Sequence, residues 1–198
     1  MPYTPEHQTL YAKRFALWLG IAAMVMMFAG FTSAYIVKKA DTDSWTNFVI
    51  PSIFFVSTAM ILLSSVTMVV AMRAFKHNNL KRYQIWLWAT FLLGSSFIVL
   101  QIIGWMQMEH SGILMTEEVS GAFFYVISGT HAVHVLGGVI ILLVSLFGIS
   151  RKLKDPVYDL TMEISPKRKF RVELVATYWH FVDALWIYLF LFLLYNHS

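Results

Sequence analysis

Glu173-Leu174-Val175-Ala176-Thr177-Tyr178-Trp179-His180-Phe181-Val182-Asp183-Ala184-Leu185-Trp186 continues as apolar sequence to Tyr195. The stretch is long enough to cross a bilayer as a helix, yet it carries two carboxylates, an imidazole and two indoles, groups that hydrocarbon normally excludes. Burying them needs a reason, and the rest of the chain supplies the setting.

Of the 198 residues, 58% are apolar and 13% charged, and the mean hydropathy is +0.64, far above an ordinary soluble domain. The chain reads as an integral membrane protein in one domain, 1–198. The absence of cysteine excludes disulfides, thiolate metal or cluster ligation, covalently attached c-type haem and a nucleophilic thiol. The formal charge of +4 concerns topology rather than a nucleic-acid partner, because in a membrane protein the positions of Lys and Arg matter more than their sum. The first dozen residues lack the basic start and short apolar core of a cleaved signal, so the first spanning helix is expected to double as an uncleaved insertion signal.

Five apolar runs, roughly 15–37, 48–75, 83–108, 122–149 and 172–195, each reach the length of about 20 residues that a spanning helix needs. Their continuous apolarity excludes the alternation of a β-barrel. The expected fold is therefore all-α, a bundle of five transmembrane helices. All but Lys38 and Lys39 of the 15 Lys and Arg residues fall on one side: Lys13 and Arg14, then Arg73 to Arg82, then Arg151 to Arg171. That asymmetry places the N-terminus in the cytoplasm and the C-terminus in the periplasm. The connection near 150–171, with Pro156 and Pro166, reads as a basic cytoplasmic loop attracted to anionic headgroups, and a partner subunit could also use it. The outer connection Glu109 to Gly121, with Glu117 and Glu118, reads as a solvated loop rather than a metal site.

Small residues mark seams where helices can approach: Ala16, Gly20 and Ala23, Gly30 and Ala34, Gly94 and Ser95, Gly137 and Gly138. The second run carries Ser57, Thr58, Ser64, Ser65 and Thr67, which can bond back to their own helix and offer no chemistry. In the fourth run, His131 and His134 project about 60° apart on one face. In the fifth, Glu173, Thr177, His180 and Ala184 share a stripe with Asp183 at its edge. His180 lies about 10 Å and Asp183 about 15 Å deeper than Glu173. The four groups His131, His134, His180 and Asp183 are expected to converge in the middle of the bilayer. Trp179 and Trp186 would bound them or face a partner. Three readings suit this constellation: hydrogen bonds locking helices four and five, a metal or bis-histidine haem site, or a proton or ion path through a small transporter. The short chain, without paired half-repeats or a broken helix, argues against transport.

The strings Gly121–Gly138, ending His131-x-x-His134-Val135-x-x-Gly138, and Glu173-x-x-x-x-Tyr178-Trp179-His180-Phe181-Val182-Asp183-x-x-Trp186 resemble subunit III of the haem–copper respiratory oxidases, the cytochrome c oxidase and quinol oxidase family. Phe97-x-x-x-Gln101-x-x-x-Trp105 and Phe28-Ala29 with Tyr35 are weaker matches. The resemblance covers nearly the whole chain from Phe15. It implies a helical, non-catalytic subunit of the bacterial inner membrane that binds no redox centre. The haems and copper belong to subunit I, the main partner, beside the other oxidase subunits and membrane lipid. It further implies a stabilising role, support of proton uptake and phospholipid in a cleft, and leaves membership of a larger respiratory supercomplex open. His131, His134, Glu173, His180, Asp183 and Trp186 become a structural polar network with no catalytic, cofactor or metal role. The longer family form has seven helices, and the five runs of this sequence are expected to correspond to its last five, as in five-helix bacterial versions; the lipid cleft that the first two helices help form does not transfer with them. Met24 and Gly104 stand where many members carry acids, so a proton-linked role of those carboxylates does not transfer.

Overall fold

The computed structural model describes residues 5–41, 45, 48–113, 119–152 and 166–197. The five expected spans are five helices: α1 Pro5–Asp41, α2 Ile53–Lys76, α3 Leu80–His110, α4 Val119–Lys152 and α5 Pro166–His197. Each is long and apolar enough to cross a membrane, and among the described residues there is no strand. Residues 153–165, with Pro156, and residues 114–118, with Glu117 and Glu118, lie outside the described residues, so the loop readings made for them fall outside the structure described.

The helices overrun the apolar runs because charged residues continue them past the hydrocarbon. Lys13 and Arg14 are inside α1, and Lys38 and Lys39 form its last turn. The exception is α2, which begins five residues later than its apolar run. Pro51 lacks the amide donor, and the first turn of α2 closes behind it through Phe54 N–H to Pro51 O at 3.1 Å. Phe48 and Ile50 are instead buried as a non-helical plug at that end. The α2–α3 hairpin turns at Asn78, with φ 57°, a conformation that asparagine tolerates better than most residues. The Asn79 side chain then accepts from Arg82 N–H at 3.0 Å and caps α3.

α2 and α3 form the most intimate pair, α3 packs on α4, and α5 lies against both α2 and α4. α1 rests on α4 and α5. The centre is aromatic, with Phe28, Tyr35, Phe54, Phe97, Phe124, Trp179 and Trp186 fully enclosed. Two of the expected small-residue seams are notches for one indole: a Cβ at Gly94 would stand 2.5 Å from the Trp179 ring, and one at Gly138 3.0 Å from it. Gly104 does the same for Phe54, whose ring would be 2.6 Å from a Cβ there, so an acid at this position would displace that ring. Gly20 and Gly30 on α1, in contrast, have nothing among the described residues within 4 Å of a Cβ. Phe15, Trp18, Met26, Val133 and Val144 are exposed on the outer surface, a display suited to lipid rather than water.

Candidate functional site

In the middle of α5 the two indoles and the imidazole turn to α2. His180 Nδ1 lies 2.8 Å from Ser65 Oγ. Trp179 Nε1 donates to Ser64 Oγ at 3.1 Å, and Trp186 Nε1 to Thr58 Oγ1 at 3.0 Å. Farther along the same helix, Gln101 of α3 donates to Ser57 Oγ at 3.1 Å and Thr67 shares a hydrogen bond with Thr90 at 2.9 Å. The hydroxyls of Ser57, Thr58, Ser64 and Thr67 do bond back to backbone carbonyls of their own helix, as expected. A hydroxyl that donates to its own backbone still holds acceptor lone pairs, and these serve the neighbouring helices. The expected back-bonding is therefore present, and beside it the same hydroxyls tie α2 to α3 and α5, a packing role that the expectation did not include. A sign was present in the spacing: Ser57 and Ser64, like Thr58 and Ser65, are seven residues apart and recur on one face.

The expected pairing of imidazole and carboxylate between α4 and α5 does not form. His131 is fully buried, and among the described residues neither ring nitrogen has a hydrogen-bond partner. Its neighbours are the rings of Trp186 at 4.9 Å, Phe97 at 5.8 Å and Phe28 at 6.4 Å between centroids. His134 Nδ1 closes on the Thr130 carbonyl one turn back, at 2.8 Å, with Phe28 of α1 over it at 6.0 Å. The hydrogen bond that joins α4 to α5 comes from a residue outside the expected set, Tyr178, whose hydroxyl donates to the His134 carbonyl at 2.9 Å. Asp183 is 3% exposed and faces Ser64 and Ser65 of α2, although neither carboxylate oxygen reaches hydrogen-bonding geometry. The four convergent groups thus divide into an α5–α2 set and an α4 set. The cause is α5 itself, whose two bulky indoles fill the space between α2 and α4.

Glu173 stands apart from both sets. It lines a cavity with Arg14, Trp18 and Phe170 on the α1 side and another with Lys76 and Lys169 on the α2 side. This end is further tied by Arg14 over the Phe170 ring at 5.9 Å and Arg168 over the Phe75 ring at 6.0 Å. At the opposite end is a cluster that the sequence reading missed. Tyr35 OH and His197 Nε2 are 3.0 Å apart, Lys39 Nζ donates to the Asn196 carbonyl at 2.5 Å, and the His197 ring lies 4.1 Å from Phe48. These contacts clasp α1 to the end of α5. Among the described residues, no three His, Asp or Glu side chains gather where they could share a metal ion.

The fold and its interior ties define a polytopic membrane protein, a five-helix bundle with intramembrane hydrogen bonds between neighbouring helices. The chain belongs to the cytochrome c oxidase subunit III family, whose model matches residues 8–198. It is 30% identical over 196 residues to cytochrome c oxidase subunit 3 of Bacillus subtilis, covering 96% of this chain and 89% of that protein. It is 26% identical over 195 residues to quinol oxidase subunit 3 of the same organism, again 96% and 89%. The cytochrome bo(3) ubiquinol oxidase subunit 3 of Buchnera aphidicola is 26% identical over 178 residues, covering 88% and 87%. The chain is accordingly a multi-pass protein of the bacterial cytoplasmic membrane, and family membership implies association with other oxidase subunits.

Proposed function

We propose that this chain is the non-catalytic subunit III of a haem–copper terminal oxidase of the cytochrome c type. It binds chiefly to subunit I, stabilises it and supports proton uptake. The observation that carries this reading is the use of its intramembrane indoles, hydroxyls and amide as ties between its own helices, together with the family match over residues 8–198. The haems and copper are assigned to partner subunits. Identity is slightly higher to the cytochrome c oxidase relative than to the quinol oxidase relative, which favours cytochrome c as the donor. The distribution of Lys and Arg supports a cytoplasmic N-terminus and a periplasmic C-terminus.

Bound phospholipid suits the cavity of about 560 Å³ between α4 and α5. Ile140, Ile141, Val144 and Val172 offer apolar walls, and Arg168 and Arg171 stand at its charged end, as an acyl chain and an anionic headgroup require. His131, His134, Glu173, His180, Asp183 and Trp186 have structural roles in this reading.

Purification through a tag on this chain tests it. The expected product is a complex that contains the haem–copper subunit and oxidises reduced cytochrome c faster than quinol, while the isolated chain shows no Soret band. A chain that purifies alone and conducts ions in liposomes would overturn the assignment. Preferential oxidation of quinol would overturn the donor.

A further inference from the structure

α5 is flanked by α1, through Tyr35 and His197, and by α2, through Ser65 and His180. Between them its outward ridge runs through Thr177, His180, Ala184 and Leu191, which lie within about 60° of one line. Thr177 and His180 are partly exposed and Ala184 and Leu191 exposed. We propose that this ridge, centred on the Ser65–His180 pair, is the docking surface for a transmembrane helix of a neighbouring oxidase subunit that presents a polar side chain to His180 Nε2 at mid-membrane. The proposal rests on the reading of the chain as an oxidase subunit.

Depth is the first reason. Ser65 is at the middle of α2, about 17 Å from either end, and His180 lies beside it. Water does not reach this level from the lipid side. The second reason is an unmatched group. With Nδ1 on Ser65, His180 Nε2 has no partner among the described residues and is not enclosed by them. A ring nitrogen left against hydrocarbon costs free energy that a polar neighbour removes. Other surface hydroxyls close on their own backbone, as Ser96 does on Leu92 O and Ser145 on Ile141 O, both at 2.8 Å. His134 is overlain by α1 through Phe28. The third reason is shape: Ala184, one turn from His180, lets a second backbone approach closely. Acyl chains would cover the ridge without satisfying the nitrogen, so a protein helix is the better occupant.

A genetically encoded diazirine amino acid at Ala184, with Val133 on the exposed face of α4 as the comparison, tests this in membranes holding the whole oxidase. Ala184 is expected to yield a covalent adduct with another oxidase subunit, several-fold more than Val133. Adducts with lipid alone, or protein adducts favouring Val133, from a complex that still co-purifies would overturn the docking surface and leave the subunit assignment standing. Failure to co-purify with any oxidase subunit would overturn both. Substitution separates docking from internal stability. His180→Leu is expected to reduce the fraction retained in the detergent-washed complex about tenfold, whereas His180→Gln and Ser65→Ala stay within about twofold. Equal losses for His180→Leu and Ser65→Ala, or no loss for His180→Leu, would contradict the proposal.

Discussion

His131 and His180 are both imidazoles in the interior of spanning helices, and the bundle treats them in opposite ways. His180 shares a hydrogen bond with a serine of α2 and keeps one nitrogen accessible. His131 is sealed among Phe28, Phe97 and Trp186, with both nitrogens unmatched. The difference shows that a polar residue in a membrane helix is not by itself a tie. It becomes one only where a neighbouring helix offers a lone pair or a proton at the same level, and α2 offers five hydroxyls, those of Ser57, Thr58, Ser64, Ser65 and Thr67, to α5 and α3. The wall around His131 offers aromatic rings.

Trp179 is the residue on which the α2 side depends most, because it fills the notch of Gly94 and Gly138 and also bonds Ser64. Trp179→Ala is expected to lower stability by about 3–5 kcal/mol, read as an earlier thermal transition of the purified chain or complex. A small shift would mean that the indole is not the keystone between α2 and α4. Gly94→Ala attacks the same contact from the other partner. A methyl group placed 2.5 Å from a ring held on both sides is expected to cost about 1–3 kcal/mol in the same melt.

His131→Leu sharpens the contrast in the opposite direction. Removing a buried imidazole without partners leaves no neighbour unpaired, so stability should stay level or rise, by up to about 1–3 kcal/mol. A clear loss would show that His131 holds a polar contact. His180→Leu should lower the stability of the chain by a smaller amount, about 1 kcal/mol, in line with the modest worth of hydrogen bonds between membrane helices.

The fold was largely legible, because spanning helices follow from length and apolarity alone and all five runs became helices. Their ends were less so. Lys13, Arg14, Lys38 and Lys39 extend α1 beyond its apolar run, while Pro51 shortens α2. The family strings lie on α4 and α5, and the match over residues 8–198 agrees with them. The wiring of the polar groups was not legible. Hydropathy says that a helix spans and says nothing about which neighbour it meets. Only the packing of Trp179 and Trp186 decides that His180 and Asp183 look towards α2. The clasp of Tyr35 on His197 depends likewise on two chain segments 162 residues apart, a pairing that no local pattern announces.

The most direct test is a pair of double-mutant cycles in the thermal stability of the purified complex, one for His180 with Ser65 and one for His180 with His131. A coupling of about 0.6–1.7 kcal/mol is expected between His180 and Ser65, the range for membrane hydrogen bonds, with none between His180 and His131. Coupling between the two histidines with none to Ser65 would contradict the account, because it would return the polar seam to α4 and α5.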